Sequence, residues 1–441
     1  MANNYTLQQV FNNVKTTENG DIAFVSTGNK YADMVFYTEY YTKHLNELAI
    51  GKSGFDKTFA MFIRDPRFGM GMRAVGRRLM AMSEVGVEDV IKCGRFDDLL
   101  YPMRGLDYIK QAIENGNELA KKWMPRFGSS NKAMASKLAK AWGMNKQTYG
   151  KFIKVATTES RLTEHDTDSI NFAQVPSQAH LKYASHFANS EDTKERYAQY
   201  LEEVRNGKSD LKVSTTSVYD IYKNCDKIDA DLFFSKIEKI SINALAIVDT
   251  SGSMFAQDSF GKAVAIGHYI AKCSNFMNGY AISFSSRPQL LNINEESKHK
   301  TSYKILKSDS NYSKEINNLY TGDCSNTDFG AVVRLLKNVG TGNLPQYLIV
   351  LSDMEFDQGS NTSKEELYNL WKQNGSIPPY PKIVWWNLNP RHKTAPEMDN
   401  YGNIFMSGYN PILLKYLSAS FDNAKFIKKL LEEYKKKITK S

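Results

Sequence analysis

Cysteine is scarce in this chain. Cys93, Cys225, Cys273 and Cys324 are its four cysteines, far apart and without paired spacing. That pattern gives neither a disulfide framework nor a zinc site. Long apolar runs are missing too: no stretch approaches the roughly 20 residues of a membrane-crossing helix, so no membrane partner is expected. The segment Met1 to Gln9 lacks the basic-then-apolar layout of a secretory signal. The expectation is a cytoplasmic protein, in the host cytoplasm if the source is viral. The seven histidines show no metal-ligand spacing, and His180 and His186 lie six apart, on different helix faces. A Gly-rich phosphate loop with its lysine and a Gly-x-Ser-x-Gly nucleophile elbow are both absent.

What is present describes a soluble globular protein. The 441 residues are 41% hydrophobic and 24% charged, enough for two or three domains. Net charge is +9, which favours anionic partners, nucleic acid above all. A merely lysine-rich composition accounts for that charge equally well.

Residues 1–237 read as helices with almost no strand signal. Met72, Val75, Leu79 and Met82 form one stripe of a helix, with Arg73 and Arg77 on another face. Further helical blocks cover residues 106–115, 133–141, 147–156, 180–188 and 192–206, divided by turns such as Asn115-Gly116 and Asn206-Gly207. Ser190-Glu-Asp-Thr193 can cap the last of these. The expectation is a stack of helical hairpins. From residue 238 to 420 short apolar runs alternate with amphipathic helices, which predicts a doubly wound α/β domain with a mostly parallel sheet. Within it, Tyr280–Phe284 and Gln289–Ile293 are too close for a helical crossover and predict an antiparallel hairpin. Residues 421–441 predict a helix with a basic end, which suits a helix C-terminus and is not required to be a binding arm.

Two buried-strand patterns end in aspartate. Ala244–Val248 runs into Asp249-Thr-Ser-Gly-Ser253, and Tyr347–Leu351 runs into Ser352 and Asp353. Between them, Gly322-Asp-Cys-Ser-Asn-Thr327 is a polar turn before a helix. Asp249, Ser251, Ser253, Thr327 and Asp353 therefore offer three hydroxyls and two carboxylates, an oxygen-only set that suits Mg²⁺ or another divalent cation. The open coordination position would take an acidic group from a partner. Serines and aspartates that only cap helices are the plain alternative. A magnesium-dependent phosphatase is another, with Asp249 as nucleophile and Asp353 and Asp357 holding the metal. Its usual general acid, two residues after the nucleophile, is replaced by Ser251.

In the helical half, basic residues concentrate at Arg64, Arg67, Arg73, Arg77, Arg78 and Arg95, then at Lys121, Lys122 and Arg126, among Gly69, Gly71, Gly76 and Gly94. Arginines at a glycine-loosened helix start can approach phosphates closely. Phe68, Phe96 and Trp123 could stack unpaired bases. The competing reading makes the aromatics core and the arginines solvated, with Arg95 pairing Asp97 or Asp98.

Asp249-Thr-Ser-Gly-Ser253 with Thr327 and Asp353 resembles the metal-ion-dependent adhesion site of von Willebrand factor A domains. A helical half followed by such a domain resembles the Ro (TROVE) RNA-binding proteins. Arg64-Asp-Pro-Arg-Phe-Gly-Met-Gly-Met-Arg-Ala-Val-Gly-Arg77 and Gly94-Arg-Phe-Asp-Asp-Leu-Leu100 carry the helical part of that likeness. Val175-Pro-Ser-Gln-Ala179 and Leu351-Ser-Asp-Met-Glu-Phe-Asp357 are similar to an uncharacterised plant and viral group with the same layout. The resemblance implies HEAT-like helical repeats and non-enzymatic binding of small structured or misfolded RNA in a ribonucleoprotein. A metal-dependent protein-interaction module without RNA is the alternative function.

Overall fold

The computed structural model describes residues 29–36, 41–42, 45–48, 54–101, 103–295, 305–321, 323–325, 328–338, 344–353, 369, 372, 381–388, 397–398, 404–407, 415–416 and 422–440. They form two compact units. One contains Met1–Tyr37 and Thr216–Phe426, the other Thr38–Thr215 and Ile427–Ser441. This division differs from the linear one expected at residue 238. Helices Val218–Asn224 and Ala230–Ser235 belong to the sheet unit, where they pack against helices Ser259–Cys273 and Asn311–Asn317. The chain-terminal helix Asn423–Thr439 contributes most of its length to the helical unit. Its stripe of Ile427, Leu430, Tyr434 and Ile438 is buried, at the three- and four-residue spacing of one helix face.

The helical unit has no strand among its described residues. Its helices are short, and many begin at a side chain that accepts a backbone N–H: Asp56, Asn117, Asn145 and Thr157. The expected blocks are found as Arg73–Met82, Leu106–Glu114, Lys132–Ala141, Lys146–Phe152, Ser177–Asn189 and Lys194–Arg205. Two details differ. The buried face of Arg73–Met82 is Val75, Gly76, Leu79 and Met80, so the stripe is rotated away from Met72 and Met82. Gly76 is no helix break. It sits where this helix crosses Lys57–Arg64, and a Cβ there would lie 2.6 Å from the Arg64 Cα. The cap of Lys194–Arg205 falls at Thr193, whose hydroxyl donates back to the Phe187 carbonyl at 2.9 Å instead of capping forward.

Among its described residues the sheet unit holds seven strands: β1 Ala244–Asp249, β2 Tyr280–Phe284, β3 Leu290–Asn292, β4 Tyr347–Ser352, β5 Lys382–Asn387, β6 Glu397–Met398 and β7 Ile404–Ser407. Their order is β3-β2-β1-β4-β5-β7-β6. The five central strands run parallel, and each edge strand pairs antiparallel with its neighbour. The expected hairpin is the β2–β3 pair, with Ala281 opposite Leu291. β1 and β4 are buried along their whole length, which explains their unbroken apolar runs. On one face, Leu245, Ile247, Leu348, Val350 and Trp385 meet Phe329, Val332 and Val333 of helix Phe329–Asn338. On the other, helix Ser259–Cys273 packs on β1 and β4. The alternating runs expected at 365–372 and 411–417, within 238–420, lie outside the described residues apart from isolated positions.

Candidate functional site

Parallel pairing of β1 with β4 sets Val248 opposite Leu351. Both chains therefore leave the sheet at the same edge one or two residues later, and that brings Asp249 and Asp353 together. Carboxyl ends of central strands are where open α/β sheets place ligands. The Asp249 Oδ1 accepts the Ser251 N–H at 2.9 Å, which folds the loop back over the strand end. The Ser251 and Ser253 hydroxyls are 3.2 Å apart, and Ser253 Oγ donates to Asp353 Oδ1 at 3.3 Å. Four of the five expected metal-site residues thus form one connected cluster. The fifth, Thr327, lies outside the described residues, as does Asp357. Its turn nevertheless reaches the cluster, because Thr250 Oγ1 donates to the Asp323 carbonyl at 2.7 Å.

Three participants were not anticipated. Ser352 donates its hydroxyl to Asp249 Oδ2. Thr250 ties in the middle segment, and the Met254 sulfur accepts the Asp353 N–H at 3.1 Å. The register alone makes Ser352 findable, since it follows β4 residue Leu351 as Asp249 follows β1 residue Val248.

Asp249 is 1% exposed and Asp353 6%. Burial pushes the Asp249 carboxyl up to about 6, the Ser352 hydroxyl and Ser251 groups pull it down, and the Asp353 charge pushes it up again. A divalent cation would offset both the desolvation and the mutual repulsion. Among the described residues, no group of three or more His, Cys, Asp or Glu side chains is placed to hold a metal. The donor set therefore depends on its hydroxyls, and two carboxylates with two hydroxyls suit a hard cation that keeps some water or partner oxygen. The residues fit such an ion.

The arginine cluster is built differently from expectation. Arg64 is 1% exposed and pairs with Asp98 at 2.7 Å. Arg77 meets Asp98 at 2.5 Å through Nε and Asp97 at 2.8 Å through Nη2, while Arg73 also pairs with Asp97. Burial lowers the Arg77 pKa, but Asp98 and Asp97 override it and leave it raised. Arg95 donates its backbone N–H to Asp98 at 2.8 Å, and its guanidinium stacks 4.0 Å from the Trp123 ring centroid. Arg78 donates to the Leu48 carbonyl at 3.0 Å, and Arg67 to the Lys92 carbonyl. The buried Arg64 is thereby corrected from a phosphate contact to an internal ion pair. Gly94 admits protein, since a Cβ there would strike the Asp98 carboxylate. Phe96 is core at 5% exposure, whereas Arg67 caps Phe68 at 5.2 Å. Lys121 and Lys122 close the short helix Glu118–Trp123, and Arg126 is exposed just after it.

Residues 243–440 match a family described as a domain of unknown function, DUF7788. The match spans the strands and the candidate metal cluster. No curated protein matches the chain. Among solved structures it is similar to the crystal structure of the Deinococcus radiodurans RO (RSR) protein, at 12% identity, over 91% of this chain and 95% of that one, with a TM-score of 0.40. Coverage is long and geometric agreement is low, so no residue of one chain maps onto the other from it.

Proposed function

We propose that this chain is a non-enzymatic, cytoplasmic RNA-binding protein whose α/β unit is a von Willebrand factor A-type domain with a Mg²⁺ site. In this reading the HEAT-like helical unit offers its free cations to RNA phosphates, as the resemblance to Ro (TROVE) proteins suggests. The observation that carries the metal half is the meeting of Asp249, Ser251, Ser253 and Asp353 at one sheet edge. Those four, with Thr327, would hold the ion. Bound Mg²⁺ supplies an open position for an acidic group of a partner. Net charge of +9 supports the RNA half.

A second reading has its own support. Asp97 and Asp98 pair with Arg64, Arg73 and Arg77 and offset two of their three positive charges, which reduces the expected phosphate surface and favours a metal-dependent protein-interaction module.

One set of measurements separates the two. Structured RNA should be retained on a filter at low salt and released steeply as salt rises. Mg²⁺ or Mn²⁺ should raise the melting temperature of the wild type, and Asp249→Ala should abolish that rise without changing RNA retention. Absent or salt-independent retention defeats the RNA half. An identical metal response in Asp249→Ala defeats the metal half.

A further inference from the structure

The helical unit contains a recess lined by none of Arg64, Arg67, Arg73, Arg77, Arg78 and Arg95, with Arg126 alone of that basic set's arginines at its edge. It lies between the turn at Arg126 and Phe127, helix Lys146–Phe152, the chain through Ala156, and Ser160 and Glu164. Its volume is about 380 Å³, within the range of roughly 300–1,000 Å³ typical of small-molecule sites. The floor is apolar and buried. Tyr149 is fully buried, its hydroxyl donates to the Pro125 carbonyl at 2.9 Å, and Ile153 beside it is 2% exposed. Phe127 stands edge-on to Tyr149 with centroids 5.7 Å apart and, itself partly exposed, lines the recess.

The rim is cationic. Arg126, Lys146 and Lys154 are all exposed around the mouth, and none is in an ion pair among the described residues. The Lys146 Nζ sits 5.8 Å from the Phe127 centroid. Glu164 is the single carboxylate lining the recess, so three positive charges face one negative charge. A ligand that suits both parts has a flat, weakly polar body and an anionic end on the same side. Inorganic phosphate would leave the floor unused, a neutral aromatic would leave the rim unused, and a base-paired duplex cannot enter.

We infer that this recess binds one nucleotide, with the base against Phe127 and Ile153 and the phosphate on Arg126, Lys146 and Lys154. Two sources share that chemistry: a free nucleoside monophosphate, and an unpaired nucleotide of a single strand. The second rests on the RNA reading above and the first does not. Aromatic stacking tolerates any base, so little preference among bases is expected.

Gly150 makes the test clean. It lines the recess within helix Lys146–Phe152, and a Cβ there meets no atom within 4 Å. Gly150→Leu therefore fills the site without disturbing the core, and leucine is the better helix former. The full chain would be titrated with AMP, UMP, adenosine, inorganic phosphate and short single-stranded oligouridine, with thermal melting as the fold control. The expected result is binding of AMP and UMP, or of the oligonucleotide, that exceeds binding of adenosine and phosphate. Gly150→Leu and Lys146→Glu/Lys154→Glu should each weaken it by about tenfold or more, with Gly150→Leu melting no lower than wild type. Binding only to AMP and UMP assigns the free source, and binding only to the oligonucleotide assigns the strand. If structured RNA is retained but Gly150→Leu binds nucleotide and oligonucleotide like the wild type, the recess proposal is overturned and the RNA reading stands. If AMP binds and structured RNA is not retained, the RNA reading fails and the recess stands. If neither AMP, UMP nor the oligonucleotide binds the wild type, the proposal is wrong.

Discussion

Asp98 ties together three separate stretches of the helical unit. It receives the guanidinium groups of Arg64 and Arg77 and the backbone N–H of Arg95, and it is 1% exposed. A buried ion pair is weak evidence of net stabilisation, but breaking one strands a charge in a low-dielectric interior. Asp98→Ala should therefore destabilise the unit by about 3–5 kcal/mol, seen as a lower urea midpoint. A loss no larger than that of an exposed Arg205–Glu202 pair would show that Arg64 finds another partner. The metal cluster shows the opposite balance, with two carboxylates buried side by side and hydroxyls as their neighbours. The residue types of both sites were legible in the chain. Which charges were already matched was not, since Arg64 and Asp98 are 34 positions apart and meet only in the fold.

Glycine placement separates the elements of the helical unit. Gly76 lies in a tight crossing of two helices, and Gly150 faces open space. Intrinsic helix propensity alone favours alanine at each by about 1 kcal/mol. Gly150→Ala should accordingly stabilise by about 0.5–1 kcal/mol. Gly76→Ala should destabilise by about 1–3 kcal/mol through overpacking against Arg64. Equal shifts of the two melting temperatures in the same direction would contradict the crossing. In sequence both glycines sit within helical stretches beside basic residues, so composition could not tell a contact glycine from a pocket glycine.

At the scale of the whole molecule, each unit carries a buried histidine with a lowered pKa. Burial lowers His180 to about 4 in the helical unit, and His180 Nε2 lies 3.1 Å from the Tyr197 hydroxyl. Burial also lowers His268 in the sheet unit, against the opposing pull of Glu315 at 2.6 Å. A histidine held neutral in the fold binds its proton more readily once unfolded, so stability falls as pH drops below the unfolded value of about 6.5. For His180 the loss accumulates down to about pH 4 and amounts to about 3 kcal/mol. His180→Asn should flatten that part of the stability–pH curve relative to wild type. An unchanged difference between the two proteins from pH 7 to pH 4 would refute the assignment.

The chain by itself determined the order of helical and α/β regions, the antiparallel hairpin, the two buried strands that end in aspartate, and the hydroxyl loop between them. Those features rest on local periodicity, and periodicity reports which face of an element is buried. Tertiary structure decided three further matters. It set β1 beside β4, so that Asp249 and Asp353 meet across 104 positions of sequence. It moved residues 216–235 to the sheet unit and most of the terminal helix to the helical unit. It also matched Arg64, Arg73 and Arg77 to Asp97 and Asp98, while leaving Arg126, Lys146 and Lys154 around an open recess. Charge pairing depends on through-space distance, and sequence spacing encodes that distance only within a single helix or strand.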